Sequence, residues 1–314
     1  MKVFITGGMG FIGSHLTDHL LREGHQVTVC DDLSAGTFYE TAARFYHADI
    51  SKASIDRLAA LMKGHYVVVH LASNAVIRGG FRRSAISANL KVNVSGTRRV
   101  LEAMRVAGVR NLVFASTGAV YGDADQIPTP ETYGPLKPVS PYGATKLAAE
   151  GLIAACCHGF GLNAAILRMN NIIGARQSRG IVVDFVKKAL ASENPLPVLG
   201  DGRQRKQFCH VSDCVEAITF FLKNLPRGCE IYNLAGKGTL TADDVARIVQ
   251  TALGIRPVCV QHTGGDRGWR GDAPITVLDT TKLQRRGWAP TMDSREAVRR
   301  AATALALGPK GGDS

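Results

Sequence analysis

The sequence has few of the residues and patterns that mark membrane proteins and secreted proteins. Aromatic residues make up only 6% of the 314 residues, and no apolar run approaches the roughly 20 residues of a membrane-spanning helix. The chain opens on the strand-like Lys2-Val3-Phe4-Ile5, without a charged leader or a cleavage site. The expectation is a cytoplasmic protein with no membrane partner.

Cysteine patterns that would indicate a metal site or a redox motif are also missing. The seven cysteines are an odd number, and no two of them have C-x-x-C spacing. They are predicted to be buried or half-buried thiols of a reducing compartment. No metal is expected.

The positive charge of the chain has no nucleic-acid pattern. Lys and Arg number 38 against 26 Asp and Glu, which gives a formal net charge of +12. These basic residues are scattered, and no tail of like charge or stretch of interleaved aromatic residues accompanies them. The composition therefore favours a site for an anionic small molecule over nucleic-acid binding.

What the sequence does contain is a regular alternation of strand and helix patterns. This alternation predicts an α/β fold with a doubly wound parallel sheet, the Rossmann arrangement, joined by right-handed crossovers. The predicted strands are 3–5, 26–30, 44–47, 66–70, 112–115 and 164–167, and the predicted helices are 11–22, 54–62, 85–107 and 142–158.

The regular alternation of strand and helix patterns ends after Arg168, where Gly, Asn and Pro separate short mixed elements. We expect a smaller mixed α/β C-terminal substrate domain interleaved with the first. The predicted division is a dinucleotide-binding domain of 1–170, with 207–238 returning to it, and a substrate domain of 171–206 and 239–314.

A glycine-rich turn between the first strand and the first helix predicts a dinucleotide site. The spacing of Gly7, Gly10 and Gly13 is G-x-x-G-x-x-G. Glycine allows a tight turn and a close approach of backbone to a pyrophosphate, which then lies on the helix N-terminus. Phe11 and Ile12 complete the first turn of that helix and join the predicted cofactor contacts.

Two carboxylates end the second strand, about 20 residues after the glycines. Asp31 and Asp32 are placed to accept hydrogen bonds from the hydroxyls of an adenine ribose. NADP would usually require a basic residue close by, and none follows directly. The expected cofactor is NAD.

A second motif predicts acid–base chemistry. Tyr142 and Lys146 form Y-x-x-x-K at the start of a helix, where residues at i and i+4 share a face. An ammonium beside a phenol favours the phenolate that a tyrosine base needs. Ser116 and Thr117 end the fifth strand, where ligands bind in open α/β sheets, so a hydroxyl there could meet a substrate hydroxyl.

Taken in order, these motifs identify a family. The chain resembles the extended short-chain dehydrogenase/reductases, and specifically nucleotide-sugar epimerases of the UDP-galactose 4-epimerase type. The resemblance covers nearly the whole chain, to about Ala306. Besides the glycines, the acid and Y-x-x-x-K, it rests on Asp49-Ile50, His70-Leu71-Ala72-Ser73, Asn93-Val94-Ser95-Gly96-Thr97, Ser116-Thr117, Val120-Tyr121-Gly122, the segments 167–174 and 199–206, and Gly268-Trp269-Arg270-Gly271-Asp272.

The resemblance implies the chemistry of a 4-epimerase. Tyr142 would remove the proton of the 4-hydroxyl while hydride passes to NAD, and the 4-keto sugar would then receive the hydride on its other face. Lys146 would hold the nicotinamide ribose and tune Tyr142, and Thr117 would orient the hydroxyl. NAD would stay tightly bound and be regenerated in each turnover. The other residues implied to lie along NAD are Asp49, Ile50, Leu71, Ala72, Ser73, Asn93 and Ser116.

The resemblance also implies a diphosphate site. Asn171 matches the family asparagine at the sugar-nucleotide diphosphate, and an arginine before Gly271-Asp272 usually binds the same group. Arg267 and Arg270 both qualify for that position. Where the broader family has an arginine followed by an acid, this chain reads Arg205-Lys206-Gln207, so either Arg205 or Lys206 could take the role. Met169 replaces a frequent aromatic near the nicotinamide.

Relatives that dehydrate or decarboxylate sugars place acidic residues near the catalytic hydroxyl. Here Gly118 and Ala119 follow Thr117 and have no proton to give or take. Epimerisation needs only the redox machinery, so UDP-glucose/UDP-galactose 4-epimerisation is the expected reaction.

Other readings of the sequence stay open. Arg78 and Arg179 are loop arginines that could bind a C6 carboxylate, which leaves UDP-glucuronate 4-epimerisation as an alternative. A 2-acetamido sugar is a third substrate. A non-catalytic NAD-binding sensor is the alternative from a different class, although it would be expected to lack Tyr142 or Lys146. The resemblance further suggests a homodimer through the helices at 85–107 and 142–158.

Overall fold

The computed structural model describes residues 1–34, 39–256 and 258–308. They form two compact units. Unit 1 contains 1–120, 140–168 and 215–232, and unit 2 contains 121–139, 169–214 and the chain from Asn233 onward. The boundaries differ from the predicted ones because 121–139, 169–170, 207–214 and 233–238 group with unit 2. Residues 309–314 of the predicted substrate domain lie outside the described residues.

The first part of the chain alternates strands and helices as predicted. Its elements are β1 (Lys2–Thr6), α1 (Phe11–Arg22), β2 (Gln26–Asp31), β3 (Arg44–His47), α2 (Ile55–Met62), β4 (Val67–His70), α3 (Arg83–Asn89), a π-helix (Leu90–Gly96), α4 (Thr97–Ala107), β5 (Asn111–Thr117), a 3₁₀ turn (Gly118–Val120), α5 (Pro141–Phe160) and β6 (Asn163–Met169).

The remainder has shorter strands. Its elements are β7 (Ile172–Ile173), α6 (Ile181–Leu190), β8 (Leu196–Val198), β9 (Arg205–Lys206), β10 (Cys209–His210), α7 (Val211–Lys223), β11 (Cys229–Leu234), β12 (Leu240–Thr241), α8 (Ala242–Ala252), β13 (Val260–His262), β14 (Ile275–Thr276), α9 (Thr281–Arg285) and α10 (Ser294–Leu307).

A seven-stranded sheet in the order β11-β6-β5-β4-β1-β2-β3 confirms the predicted Rossmann-like α/β fold. The pairs β1–β2, β1–β4, β2–β3 and β4–β5 are parallel. The carboxyl ends of these strands therefore meet at one edge of the sheet. The glycine turn after β1, Asp31 at the end of β2 and Thr117 at the end of β5 all lie at that edge.

The helix that carries Y-x-x-x-K has clear start and stop signals. The Ser140 hydroxyl accepts a hydrogen bond from the Gly143 amide at 3.1 Å, and Pro141 occupies the first turn. The helix ends at Gly161, whose φ of 65° suits a residue without a side chain. Because these signals fix α5, Tyr142 lies in its first turn and Lys146 one turn later.

The predicted helix 85–107 is instead three consecutive segments. Between α3 and α4, residues Leu90–Gly96 form a π-helix, in which each turn holds an extra residue. Such segments are frequent at functional sites, and this one contains Asn93. The helical spacing of apolar residues does not distinguish a π-helical turn from an α-helical one. The sequence pattern therefore predicted a single long helix over these residues.

The core of unit 1 fills the space between the sheet and its helices. Buried side chains of β1, α2, α4, β5 and β6 form one cluster, and its larger members include Phe4, Leu58, Met104, Phe114 and Ile166. The four residues of β4 are all buried, as expected for a strand covered on both faces.

Unit 2 has a separate core built mainly from α6, α8 and α10. Its buried cluster includes Phe185, Val245, Val249 and Val298. Around it lie a three-stranded sheet in the order β12-β9-β14 and the two-stranded pairs β10–β7 and β13–β8. Strand β9 pairs antiparallel with β12 and parallel with β14, so this unit is mixed α/β, as predicted.

Residues 1–34, 39–256 and 258–308 contain neither a membrane-spanning helix nor a group of metal ligands. None of the helices there is both long enough and apolar enough to cross a bilayer. Within the same ranges, no three His, Cys, Asp or Glu side chains are grouped so that they could hold a metal ion.

Candidate active site

The turn after β1 has room only for glycine. A Cβ on Gly13 would lie 2.1 Å from the Gly7 carbonyl oxygen, and a Cβ on Gly7 would lie 2.6 Å from the Ala72 amide nitrogen. Helix α1 starts after Gly10, and no side chain caps its N-terminus. The first-turn amides, which include those of Phe11 and Ile12, therefore face outward as donors for an anion.

Asp31 supports this turn from the end of β2. Its Oδ2 accepts a hydrogen bond from the Met9 amide at 2.9 Å, and its Oδ1 accepts one from the Leu33 amide at 2.8 Å. Burial raises the pKa of Asp31, and these two hydrogen bonds oppose the rise. A carboxylate offers about four acceptor positions, so two remain for ribose hydroxyls. The neighbouring Asp32 accepts a hydrogen bond from the Ser34 amide at 3.0 Å.

Asp49 and Ile50 follow β3 at the same edge of the sheet. Asp49 Oδ1 accepts hydrogen bonds from the Ser51 amide at 2.8 Å and the Ser51 hydroxyl at 2.6 Å. Burial alone would raise the pKa of Asp49, but these bonds and Lys52 bring it below its ordinary value. Ile50 is buried.

The Asn93 amide holds the loop after β4. Its Oδ1 accepts from the Ser73 hydroxyl at 3.0 Å and the Asn74 amide at 2.8 Å. Its Nδ2 donates to the Asn74 carbonyl and the Thr145 hydroxyl, each at 3.0 Å. All four hydrogen-bonding positions of the amide are thus used inside unit 1. Asn93, predicted as a cofactor contact, therefore fixes the position of Ser73, another of the predicted contacts.

A buried histidine joins this loop to the glycine turn. His70 Nδ1 lies 2.6 Å from the Thr6 hydroxyl, and Nε2 lies 3.0 Å from the Thr97 hydroxyl. Because the Thr97 hydroxyl already donates to the Asn93 carbonyl at 2.6 Å, it must accept from Nε2–H. Burial lowers the pKa of His70 to about 3, with a smaller contribution from Lys146, so the imidazole is a neutral Nε2–H tautomer.

Three predicted hydroxyl groups come together in unit 1. Thr117 and Ser73 both hydrogen-bond the Tyr142 phenol. Burial raises the pKa of Tyr142 to about 12, and these two hydrogen bonds oppose the rise. The Thr117 hydroxyl also accepts from the Ala119 amide at 3.1 Å, which fixes its orientation.

Lys146 is almost completely buried, with 2% of its surface exposed. Its Nζ lies 4.0 Å from the centroid of the Phe114 ring, a cation–π contact. Burial lowers the pKa of Lys146 to about 7, and the charge of Glu150 opposes that fall. The site therefore holds a phenol and an amine one helical turn apart, with the hydroxyls of Thr117 and Ser73 on the phenol, and this group can accept and return a substrate proton.

Comparison with known proteins agrees with this geometry. The family model described as the NAD dependent epimerase/dehydratase family matches residues 3–235. A putative UDP-glucose 4-epimerase of Methanocaldococcus jannaschii is 32% identical over 95% of this chain and 96% of its own. The chain belongs to the NAD-dependent epimerase/dehydratase family.

Solved members of the family have the same fold. A UDP-galactose 4-epimerase superposes with a TM-score of 0.85 at 36% identity, covering 98% of this chain and 99% of the other. MoeE5, solved with UDP-glucuronic acid and NAD, superposes with a TM-score of 0.86 at 29% identity, covering 97% and 99%. The chain is thus an extended short-chain dehydrogenase/reductase of the nucleotide-sugar epimerase type, and its cofactor is NAD.

The residues of this epimerase fit NAD. Gly7 and Gly13 let the turn pack against the Leu71–Ala72 backbone and against itself without a side chain, α1 offers uncapped amides to the pyrophosphate, and Asp31 keeps two acceptor positions. The loop of Leu71, Ala72 and Ser73 is held beside that cradle, since the Ala72 amide donates to the Thr6 hydroxyl at 3.4 Å.

In unit 2 the segments predicted to bind the diphosphate come together. The Asn171 amide donates to the Gln207 carbonyl at 2.9 Å. Lys206 forms an ion pair with Asp272 and lies 5.5 Å from the ring of Trp269. Gln207 follows Lys206 where the broader family has an acid after its arginine. The Gln207 side chain accepts a hydrogen bond from the Leu278 amide and donates one to the Leu278 carbonyl.

The remaining predicted cations differ in their partners. The Arg267 guanidinium binds both oxygens of Asp123, at 3.1 and 2.9 Å, and the Asp272 carbonyl at 2.9 Å. The other four have exposed side chains, and they are Arg78, Arg179, Arg205 and Arg270.

Sequence reasoning missed a buried ion pair behind Lys146. Glu150 receives Arg168 Nη2 on Oε2 at 2.8 Å and Arg168 Nε on Oε1 at 3.1 Å, and the Ser116 hydroxyl donates to Oε1. The only sequence signal was an acid four residues after Lys146 on the same helix face. Ser116, predicted as a cofactor contact, uses its hydroxyl proton in this cluster.

The role of Asp31 can be tested by substitution. Asp31→Ala removes the predicted ribose acceptor and two hydrogen bonds of the glycine turn, so NAD affinity should fall by about 10-fold or more. Calorimetric titration of cofactor-free protein with NAD measures the change. Asp56→Ala, which removes an exposed acid from α2, is the matched control and should bind NAD normally. Equal affinity in the two variants would contradict the assignment.

Proposed function

We propose that this chain interconverts UDP-glucose and UDP-galactose by inversion at C4, through a transient 4-keto sugar. The observation that carries the proposal is the group of Tyr142, Thr117 and Lys146 in unit 1, with Gly118 and Ala119 directly after Thr117. The relatives that bear UDP-glucose 4-epimerase names support the same reaction.

In this proposal the chain supplies the proton transfers. When bound, NAD supplies the acceptor and donor of the C4 hydride. The Tyr142 oxygen takes the proton of the sugar 4-hydroxyl as the C4–O bond becomes a carbonyl, and it returns that proton when the hydroxyl re-forms. The Thr117 hydroxyl orients the substrate oxygen toward the phenol. The Lys146 ammonium lowers the pKa of Tyr142 from its burial-raised value.

Dehydration and decarboxylation are less well supported by the same residues. Both reactions need an acid or base beyond the phenol. Gly118 and Ala119 have none, and the Ala119 amide is already bonded to Thr117. Inversion at C4 needs only one base and a returned hydride, which this site provides for.

We infer that Lys206 is the cation of unit 2 that binds the substrate diphosphate. Neighbouring residues of a strand point to opposite faces, so Arg205 and Lys206 cannot share one ligand easily. Lys206 lies with Trp269 and Asp272, and the residue after it accepts from the Asn171 amide. Three of the segments that the family resemblance assigns to the diphosphate thus meet around Lys206.

A substrate with a C6 carboxylate is the second candidate. Arg78 in unit 1 and Arg179 in unit 2 both expose their guanidinium groups, and such groups bind carboxylates in two-point fashion. MoeE5 was solved with UDP-glucuronic acid, and a Thermodesulfobacterium geofontis relative at 28% identity is named a UDP-glucuronate 4-epimerase.

A direct comparison of substrates tests the proposal. UDP-glucose, UDP-glucuronate and UDP-N-acetylglucosamine are incubated separately with purified protein without added cofactor, and C4 inversion is followed by NMR. We expect inversion of UDP-glucose. Inversion of UDP-glucuronate alone would transfer the proposal to the second candidate. Bound NAD with no inversion of any of them would support a non-catalytic sensor.

The base can be tested separately. Tyr142→Phe removes the proton acceptor but keeps the ring, so NAD should stay bound while epimerisation slows by about 10²–10⁴-fold. Stopped assays and the NAD content of the purified variant measure both effects. Tyr66→Phe changes a half-exposed tyrosine of unit 1 and should have normal activity. Near-normal turnover by Tyr142→Phe would remove Tyr142 from the mechanism.

We also propose a homodimer through α4 and α5. Phe160 on α5 is 57% exposed and Val106 on α4 is 54% exposed. A groove of about 260 Å³ lies between α4 and α5. Apolar side chains of this size are usually covered when they cluster on one face. The groove is lined by Arg98, Leu101, Glu102, Arg105, Leu152, Cys156 and Phe160.

Light scattering tests the dimer. The native protein should have twice the 33.5 kDa mass of the chain. Phe160→Asp places a charge on the proposed interface and should give a monomer. Leu190→Asp alters an equally exposed side chain on α6 and should leave the mass of the dimer unchanged. A native protein that is monomeric at working concentration would contradict the proposal.

A further inference from the structure

Three charged side chains are buried together in unit 1. Lys146, Glu150 and Arg168 are 2%, 4% and 2% exposed. A buried charge is costly unless it is paired and hydrogen-bonded. Any charge retained at such a depth therefore needs a partner; Glu150 forms the ion pair with Arg168, and its charge also acts on Lys146.

The anion is held rigidly by one of these cations. Arg168 Nε and Nη2 reach both carboxylate oxygens of Glu150, and the Ser116 hydroxyl donates to Oε1. Arg168 extends from β6 and Ser116 from β5, so two strands fix a carboxylate that α5 carries. A two-point pair of this kind has little freedom to rotate.

The same anion is the charged neighbour of Lys146. Residues four apart on a helix lie on one face with Cβ atoms about 5–6 Å apart. Until the Tyr142 phenol ionises, the other described groups around the ammonium supply no negative charge: the Phe114 ring lies 4.0 Å away and His70 is neutral. Arg168 is a cation.

We propose that Glu150 is a positioning residue for the reaction: its carboxylate, fixed by Arg168 and Ser116, keeps the Lys146 ammonium charged beside Tyr142. This role rests on the proposed function, in which an ammonium favours the Tyr142 phenolate. In this proposal Glu150 does not contact the substrate and does not transfer the proton of the sugar 4-hydroxyl. Arg168 in turn fixes the orientation of the Glu150 carboxylate.

The direction of the effect follows from the charges. Burial lowers the pKa of Lys146 to about 7, and Glu150 raises it. Loss of the carboxylate would therefore lower the pKa of Lys146 further and leave the amine neutral at pH 7. At a pH above the Lys146 midpoints of both the native protein and the variant, a midpoint lower by one pH unit means a 10-fold smaller charged fraction of the amine.

The test is a titration of Lys146 itself. Protein labelled with ¹³C-lysine is titrated by NMR, and the Lys146 signal is assigned from its absence in Lys146→Arg. In Glu150→Gln we expect the Lys146 midpoint to fall by about one pH unit or more. Glu150→Asp keeps the charge and should restore most of the native midpoint. Glu296→Gln removes an exposed acid paired with Arg299 and Arg300 on α10 and should change nothing.

A second variant covers the case in which Glu150→Gln does not fold because Arg168 is left unpaired. The double variant Glu150→Met/Arg168→Met removes both charges, a change that buried ion pairs often tolerate. Since the charge interaction of Lys146 is with Glu150, its midpoint should fall here too. A native-like midpoint in a folded variant that lacks Glu150 would overturn the proposal.

Activity provides the readout that a purely structural role would not produce. The alkaline limb of the pH–rate profile should move to lower pH in Glu150→Gln; for a midpoint that falls by one unit from about 7, turnover at pH 8 should be reduced by about 5-fold more than at pH 6. A uniform loss at all pH values would contradict the positioning role. If native protein inverts no UDP-sugar but the Lys146 midpoint still falls, the proposed function fails while the electrostatic coupling stands.

Discussion

Lys146 carries an ammonium among buried side chains, and burying a charge costs several kcal/mol unless neighbouring groups compensate. The face of Phe114 and the carboxylate of Glu150 supply that compensation. The packing of α5, β5 and β6 in unit 1 provides this environment for the Lys146 amine. Helix α5 must pack tightly on β5 and β6 so that the amine is dry enough for its pKa to lie near neutrality, and Arg168 must come from β6 to hold the carboxylate in place.

A second level of organisation positions the groups that face the cofactor. The parallel strands bring the glycine turn, Asp31, the loop after β4 and Thr117 to one edge of the sheet. Side chains that do not face the cofactor then fix that edge. Neutral His70 hydrogen-bonds both Thr6 and Thr97. The side-chain amide of Asn93 makes all its hydrogen bonds to Ser73, Asn74 and Thr145. The π-helix gives Asn93 its place in this network.

Local patterns were sufficient for much of this architecture. Helix α1 has the predicted bounds, because the apolar spacing that follows the glycine turn marks it in the sequence. The glycine turn and Y-x-x-x-K were likewise legible, since each needs particular residues at fixed spacing. The Glu150–Arg168 pair was not, because its partners are joined only by the packing of α5 on β6. The π-helix was missed because its extra residue leaves no mark in composition, and residues 121–139 gave no signal of the unit they join.

The central claim is that the hydrogen at C4 leaves the sugar as hydride and returns to the same carbon. Incubation of UDP-galactose deuterated at C4 with purified protein, in ordinary water and without added cofactor, measures this directly. The account predicts UDP-glucose that retains the deuterium at C4, read by NMR and mass spectrometry. Loss of deuterium to water during inversion would show that the carbon is deprotonated instead, and would contradict the account.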